Sequence, residues 1–376
     1  MKRLLRYIFA IVLAVGFTAC NNGNYVNSIP KNSVAILSMD IGEMNGVGAG
    51  ALLKTLLHLT NINTAGIDVS SPVYLFETEN GEIGLCARIT NQDDLEKAIV
   101  KMGKSKPLQD FHGYRFTLYK DAWAVGCSDE TFLVIGPIAK ASYPSIRRQM
   151  VNYLSNDEKS GITTSRLYQK MDSIDSPMKM VARIDALPEE FMLPFMLGTP
   201  KDTDPSQVCV SAKMNVLDGV LVMDGESFSF NKRVDASLKE AAHVYRPIEG
   251  QMVSALPSEM LGGLFINVKG DSLMPLMREN RGFQAMLAGM NTQVDMDSIV
   301  KSVDGDFCVL VPTVNEQPPL VRYSDGTTFR QIDGKGVSSV YTLSTDAAST
   351  DLRKVVVGKK MVLLINLNLL KGIINR

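Results

Sequence analysis

The 376-residue chain is poor in the residues that most catalytic and metal sites use. It has three histidines, His58, His112 and His243, which are widely spaced and form no His-Glu-x-x-His motif. It also lacks the Gly-x-Ser-x-Gly elbow of serine hydrolases. The sequence therefore offers few residues that could form a histidine-based triad or a zinc site. We predict no cofactor and no metal site.

Neither sign of charge dominates the sequence. Lysine and arginine number 39 against 40 for aspartate and glutamate, which gives a formal net charge of −1. Proteins that bind nucleic acid or an anionic membrane surface through charge usually carry a basic excess. We therefore predict no nucleic-acid partner.

Cysteine is scarce as well, and no two cysteines form a Cys-x-x-Cys pair. Beyond Cys20 there are four, each isolated among strand-forming residues: Cys86, Cys127, Cys209 and Cys308. This spacing removes the usual support for zinc binding or thioredoxin-like chemistry. Buried thiols are our main interpretation, and a disulfide between Cys86 and Cys127 is the alternative if their strands are neighbours.

The N-terminus has the pattern of a secretory signal. Three basic residues among the first six precede an apolar run from Tyr7 to Val15, which is too short for a bilayer span of about 20 residues. Small residues then lead to Cys20 and resemble the lipobox of bacterial lipoproteins, although Phe17 stands where that motif more often has Leu. We predict a signal peptide over residues 1–19 and a lipid on Cys20. An ordinary cleaved signal is the alternative.

A lipid on Cys20 would anchor the protein without a transmembrane helix. Burial contributes about 0.8 kcal/mol per CH2 group, so two or three acyl chains such as palmitate hold a protein durably. Residues 20–28 begin with a polar stretch and are predicted to form a flexible tether. No acidic cluster follows Cys20, unlike surface lipoproteins of the Bacteroides type, and Asn21 is not the Asp of inner-membrane retention. These features favour the periplasmic face of the outer membrane.

One local pattern recurs four times in the mature chain. An apolar strand is followed by Asp or Asn and then by a helix-like stretch, and the four polar residues are Asp40, Asp185, Asn267 and Asn366. A short side-chain oxygen can accept from the first N–H groups of a helix, so we predict that these residues are caps. The recurrence indicates internal repeats.

The mature chain exceeds what one hydrophobic core usually serves, and the repeats divide it into three predicted α+β modules. Their bounds are 29–150, 151–248 and 249–376. Around the first copy the order is the β-α-β-β-α-β of a ferredoxin-like unit, with a hairpin at Asn80-Gly81. The predicted helices are 49–59, 92–102, 188–197, 235–244 and 271–289. The sequence thus predicts strand-helix-hairpin modules with mostly antiparallel sheets.

Three segments resemble an uncharacterised lipoprotein family of Bacteroides-type bacteria, the domain of unknown function 4836. They are Tyr25 to Pro30 with its following strand, Ser71 to Ile89 with Asp94-Leu95-Glu96 opening a helix, and Asn267 to Asp271. The resemblance runs through most of the mature chain and is patterned rather than motif-specific. It implies no activity, cofactor or catalytic residue.

A dinucleotide-binding fingerprint is suggested by Gly46-Val47-Gly48-Ala49-Gly50-Ala51, with Asp68 downstream. The turn from Asp40 to Asn45 is too long to deliver the first glycine into a phosphate loop, and hairpins do not suit a parallel sheet. We interpret the glycines as a site of close helix–sheet packing.

Three acidic pairs lack the alternating ligands and bidentate Glu of a calcium-binding EF-hand loop. They are Asp93-Asp94, Asp295 with Asp297, and Asp304 with Asp306. We interpret all three pairs as helix starts and turns.

Two functions of different classes remain. The first is a non-catalytic envelope protein that binds a glycan, another ligand or a partner protein through a cleft or sheet edge. The second is an envelope or glycan hydrolase that uses carboxylates which no motif identifies. A pocket holding two carboxylates about 5 to 10 Å apart would favour the hydrolase. We predict the non-catalytic role.

Overall fold

A computed structural model describes most of the chain beyond the predicted signal. The described residues are 24–41, 66–101, 107–187, 192–217, 219–253, 260–290, 295–312, 320–333, 336–339, 347–367 and 369. Within them, 17 strands form one antiparallel sheet. The α+β class and the predominance of antiparallel pairing are confirmed.

The first ten strands lie between residues 35 and 229. They are Ala35–Met39 (β1), Val73–Glu77 (β2), Ile83–Arg88 (β3), Gln109–Phe111 (β4), Tyr114–Tyr119 (β5), Trp123–Cys127 (β6), Thr131–Gly136 (β7), Met178–Arg183 (β8), Val208–Leu217 (β9) and Val220–Ser229 (β10).

The C-terminal part of the chain supplies the remaining strands. They are Tyr245–Arg246 (β11), Met260–Lys269 (β12), Asp304–Pro312 (β13), Leu320–Ser324 (β14), Phe329–Asp333 (β15), Gly336–Ser339 (β16) and Met361–Asn366 (β17).

Eight α-helices lie in the described part of the chain. They are Gln92–Lys101 (α1), Tyr143–Leu154 (α2), Arg166–Asp172 (α3), Lys232–Ala241 (α4), Gly270–Glu279 (α5), Arg281–Met290 (α6), Met296–Ser302 (α7) and Ala347–Val356 (α8). None of the described helices is long and apolar enough to cross a membrane.

The strand pairings give one continuous order from edge to edge. It runs β16-β15-β14-β13-β12-β17-β10-β9-β8-β1-β2-β3-β7-β6-β5-β4, and the short β11 pairs with the end of β12. The pairs β1–β8 and β10–β17 carry the sheet across both predicted module boundaries. The division into three modules and the internal duplication stay predictions.

The ferredoxin-like strand order is not found in the described strands. In a split β-α-β unit, the two strands that flank the helix are separated by a third strand. Here β1 and β2 are direct antiparallel neighbours, and β7 pairs with β3. The described strands and α1 follow the predicted order along the chain, and the predicted helix 49–59 lies outside the described residues. The strand pairing gives a meander with insertions.

The sheet is apolar on both faces of its N-terminal half, because alternate residues of a strand point to opposite sides. One face carries Tyr74, Cys86 and Leu133, and it packs against α2 and α3. The other face carries Leu85 and Phe132 and packs against α1. Further clusters bury α8 against β12 and β17, and α5, α6 and α7 against β12.

The polar segment predicted as a tether is largely part of the fold. Residues Asn24–Ser28 form a buried 3-10 helix, although residues 20–23 lie outside the described part. The Tyr25 hydroxyl donates to the Pro72 carbonyl over 2.7 Å, and the Cys86 thiol donates to the Tyr25 carbonyl over 3.3 Å. The tether prediction is therefore wrong for residues 24–28, because Tyr25 and Val26 supply apolar surface that the core accepts.

The disulfide alternative for Cys86 and Cys127 is wrong. Strand β7 lies between their strands, and Cys86 pairs with Leu133 whereas Cys127 pairs with Phe132. The two thiols therefore lie on opposite faces of the sheet. All four described cysteines are free and buried, which confirms the main interpretation.

Several predicted helices have different bounds in the structure. The helix expected at 271–289 is two helices, because Asn280 is extended and its Oδ1 accepts from Gly282 N over 2.9 Å to begin the second. The helix at 92–102 is confirmed as α1. The one at 235–244 begins earlier, at Lys232. Only a short 3-10 helix, Leu193–Met196, is described within 188–197.

Candidate functional site

The sequence-predicted modification site, Cys20, lies outside the described residues, as do His58, the helix 49–59 and the glycine motif from Gly46 to Ala51. His112 lies in the exposed turn between β4 and β5, and His243 lies in a 3-10 helix after α4. The structure therefore brings none of the described histidines into a site. Among the described residues, no group of three or more His, Cys, Asp or Glu could hold a metal ion.

A cleft of about 300 Å³ lies where α3, the end of β8 and the β9–β10 pair meet. We name it the arginine cleft. It is lined by Arg166, Leu167, Arg183, Ser206, Gln207, Cys209, Phe230 and Asn231. Two of these eight residues are cationic and none is anionic.

Arg166 is the first residue of α3, and its guanidinium carbon lies 4.2 Å from the centre of the Phe230 ring. Its Nη2 donates to the Phe230 carbonyl over 3.3 Å. In the described part of the chain, no carboxylate pairs with this guanidinium. The stacking and the single hydrogen bond fix the side chain while most of its N–H groups stay available.

Arg183, at the end of β8, is committed to other groups. Its Nε donates to Asp185 Oδ1 over 2.9 Å, its Nη2 also bonds Asp185, and its Nη1 lies 3.9 Å from Glu79. These hydrogen bonds to Asp185 raise the pKa of Arg183. Asp185, predicted as a helix cap, is therefore the partner of an arginine.

The cleft also contains amide groups and a buried thiol. Asn231 Oδ1 accepts from Arg233 N over 3.0 Å and from Val234 N over 3.4 Å, so Asn231 caps α4. Its NH2 group remains available to donate. The Gln207 side chain makes no hydrogen bond to any described residue. Burial raises the pKa of Cys209 to about 11, so this thiol is neutral near pH 7 and is not an activated nucleophile.

A second cleft of about 360 Å³ lies across β9, β10 and the turn before β17. We name it the lysine–carboxylate cleft, because Lys213, Lys359 and Lys360 line it together with Asp224 and Glu226. The two acids are two residues apart on β10, so they share a face about 7 Å apart along the strand.

Both acids of the second cleft already have partners. Lys359 Nζ lies 2.7 Å from Asp224 Oδ2, and Lys170 Nζ lies 3.0 Å from Glu226 Oε1. The Ser211 hydroxyl also donates to Glu226 over 3.3 Å. The two acids of this cleft are therefore paired within the protein, while Lys213 and Lys360 form no ion pair with a described residue.

A third polar cluster is buried in the C-terminal part and is named here the Asp306 network. The Asp306 carboxylate accepts from the backbone N–H groups of residues 249–251 over 2.9, 2.7 and 3.3 Å. It also accepts from Asn267 Nδ2 over 2.9 Å, and Asn267 Oδ1 in turn accepts from Arg246 Nε over 2.9 Å. Each side chain of this network is hydrogen-bonded within the protein, which makes the network a structural feature.

The Asp306 network corrects two predictions. Asn267 lies within β12 and binds side chains rather than capping a helix, and Asp306 is 4% exposed on β13 rather than in a turn. Asp295 does cap α7, since its Oδ1 accepts from Ser298 N over 3.0 Å. Asn366 likewise accepts from Leu369 N over 3.3 Å, as a cap does. The stretch from residue 42 to residue 65, where a helix capped by Asp40 would lie, is outside the described residues.

Sequence reasoning did not single out Arg166, Gln207 or Asn231. Asn231 precedes a helical stretch and could have been recognised as a cap. No local signal marks Arg166 or Gln207, because they meet only when α3 packs beside β9 and β10.

The comparisons identify a family but no activity. The family model of the domain of unknown function DUF4836 matches residues 45–325, and the chain belongs to this family. No curated protein matches the sequence. Crystal form I of TP0453 is 10% identical with a TM-score of 0.37, and the match covers 59% of this chain and 86% of that one. Crystal form III of TP0453 is 12% identical with a TM-score of 0.34, and the match covers 54% of this chain and 80% of that one.

Proposed function

We propose that this member of the DUF4836 family is an exported lipoprotein that binds an envelope ligand or partner without transforming it. The observation that carries the binding role is the arginine cleft, where Arg166 and two amide side chains have hydrogen-bond donors that the described protein leaves unused. The only acids that line either cleft, Asp224 and Glu226, are paired with lysines. This pattern fits recognition better than acid–base chemistry.

The binding role is tested by native mass spectrometry of the protein purified from cell envelopes. We expect a bound species on the wild-type chain that is missing from Arg166→Ala and retained by Lys359→Ala, which alters only the second cleft. A wild-type protein that carries nothing, even after incubation with envelope extract, would contradict the binding role.

The proposed anchor is a lipid on Cys20, holding the domain at the periplasmic face of the outer membrane. Support comes from the charged and apolar pattern of residues 1–19 and from the small residues before Cys20. The described fold begins at Asn24, so three residues would separate the lipid-bearing cysteine from the domain. Such a connection spans at most about 14 Å, which would keep the domain close to the membrane surface.

Metabolic labelling with a fatty-acid analogue tests the anchor. We expect label on the wild type and on Cys86→Ala, which removes a buried thiol, and none on Cys20→Ala. Label retained by Cys20→Ala would overturn the lipid assignment.

A second candidate function, an envelope or glycan hydrolase, is favoured by one observation. Asp224 and Glu226 share one cleft at a separation within the range of glycosidase carboxylates. The test is release of soluble fragments from envelope glycans. Release by the wild type that disappears in both Asp224→Asn and Glu226→Gln would make the protein an enzyme and refute the non-catalytic proposal.

A further inference from the structure

We infer that the arginine cleft binds a phosphate group, with Arg166 as its charged contact and the Gln207 and Asn231 amides as neutral donors. This inference rests on the proposed binding role and names the chemistry of the ligand.

The charge of the cleft favours an anion. The residues that line it include Arg166 and Arg183 and no carboxylate. Asp185 neutralises Arg183 through two hydrogen bonds, whereas no described acid neutralises Arg166. Since a guanidinium cannot lose its proton near neutral pH, Arg166 supplies one positive charge that no acid of the described residues compensates.

The hydrogen-bonding groups of the cleft also favour an anionic ligand. The Asn231 side-chain oxygen accepts from the first N–H groups of α4, so its NH2 group remains available as a donor. The Arg166 side chain has no acceptor atom, and the Ser206 hydroxyl already donates to Asp204 Oδ1 over 2.6 Å. A ligand that satisfies this lining must supply acceptors.

Phosphate fits better than carboxylate because of where the donors come from. Arg166 begins α3, Gln207 directly precedes β9, and Asn231 follows β10 by two residues. Donors from three separate segments suit a tetrahedral group with three or four acceptor oxygens, whereas a carboxylate offers two in one plane. The neutral thiol of Cys209 adds no negative charge that would repel the anion.

The position of the cleft relative to the N-terminus suggests two sources of phosphate. The Thr163 hydroxyl donates to Asn27 Oδ1 over 2.7 Å, and Thr163 lies three residues before Arg166. Arg166 is thus within about 11 Å of the residue that binds the N-terminal segment. A phospholipid headgroup at the anchoring membrane and a soluble phosphate ester share the chemistry that the cleft recognises.

The test is calorimetric titration of inorganic phosphate into the full-length protein in neutral detergent. We expect saturable binding that weakens about tenfold or more in Arg166→Ala, which corresponds to loss of one charge-assisted hydrogen bond. Lys359→Ala, which removes a positive charge from the other cleft, should leave the affinity within about twofold of wild type.

A second variant separates recognition from folding. Asn231→Asp keeps the cap, since Asp and Asn are equivalent there, but replaces the donor with an anion. We expect unchanged thermal unfolding together with at least tenfold weaker phosphate binding. Binding that is absent from the wild type, equal in Arg166→Ala, or matched by acetate would overturn the phosphate assignment.

Competition distinguishes the two sources. Vesicles of phosphatidylglycerol that displace phosphate, while glycerol 3-phosphate does not, would identify a headgroup site, and the reverse would identify a soluble ester. Either result supports the inference. If phosphate does not bind but a species still co-purifies with the wild type, the inference fails and the proposed binding role stands.

Discussion

The arginine cleft and the Asp306 network are both polar clusters, but they differ in whether their groups satisfy one another. In the Asp306 network, one carboxylate accepts four hydrogen bonds, and its partner Asn267 is itself bonded to Arg246. In the arginine cleft, Arg166 makes one hydrogen bond to protein. Groups that satisfy one another inside the fold stabilise it, and groups that remain unsatisfied at a surface are available to a ligand.

The lysine–carboxylate cleft shows that exposure alone does not explain this difference. It is also open to solvent, yet Asp224 and Glu226 each have a lysine at 3.0 Å or less. The acids of that cleft are therefore paired within the protein, whereas Arg166 of the arginine cleft has no acidic partner among the described residues. Substitutions in the three clusters, together with Asp304→Ala and Asn366→Ala, test this comparison through the free energy of unfolding.

The largest effect is expected for Asp306→Ala. Removal of the carboxylate leaves three backbone N–H groups and the Asn267 amide without their acceptor in a buried place, which should cost roughly 3 to 5 kcal/mol. Denaturant unfolding measures this loss. The control is Asp304→Ala, whose carboxylate is 45% exposed beside Arg246 and should cost about 1 kcal/mol or less. Equal losses in the two variants would contradict a structural role for the network.

A smaller effect is expected for Asn231→Ala, because this residue belongs to both the fold and the arginine cleft. Loss of its two cap bonds should cost about 0.5 to 2 kcal/mol. Asn366→Ala should cost a similar amount, since Asn366 accepts one cap bond. Chemical denaturation that leaves Asn231→Ala as stable as wild type would show that α4 does not need this cap.

Lys359→Ala should have a weak effect on stability. The side chains of Lys359 and Asp224 are 42% and 30% exposed, so solvent screens their attraction and the pair contributes about 0 to 1 kcal/mol. The thermal midpoint should also depend little on salt when this pair is removed. A loss comparable to that of Asp306→Ala would mean that the lysine–carboxylate cleft is structural.

The smallest effect on stability is expected for Arg166→Ala, although it should have the largest effect on binding. The side chain is exposed, makes one hydrogen bond to protein and stacks on Phe230, so its loss should change the free energy of unfolding by only about 0.5 kcal/mol. Parallel unfolding and binding measurements check this combination. A strongly destabilised Arg166→Ala protein would remove the contrast between the two regions.

Local elements of this fold were largely predictable. Alternating apolar residues predict strands at 72–78, 82–90, 113–119, 122–127 and 131–136, and β2, β3 and β5 to β7 lie within one or two residues of these bounds. The Asn80-Gly81 turn lies between β2 and β3, as predicted. Predictions failed where two signals compete in a few residues. The helix at 271–289 was one amphipathic stretch in sequence, and only the extended backbone of Asn280 divides it.

The repeated Asp and Asn residues show the same limit. All four follow an apolar strand, yet Asn366 caps, Asp185 binds Arg183 and Asn267 binds Asp306. A cap requires the helix to begin immediately after the residue, and β12 continues for two residues beyond Asn267. The surroundings of each residue, rather than its type, select among these uses.

The sequence by itself determined the α+β class, the strand and helix segments, the family and the burial of isolated cysteines, because each depends on patterns within a few residues or on composition. The tertiary structure alone decided the strand order, the opposite faces of Cys86 and Cys127, the burial of Tyr25 to Ser28 and the meeting of Arg166 with Gln207 and Asn231. These depend on contacts between residues far apart in the chain, which are fixed by packing of the whole sheet and its helices. Local propensity does not encode such pairings.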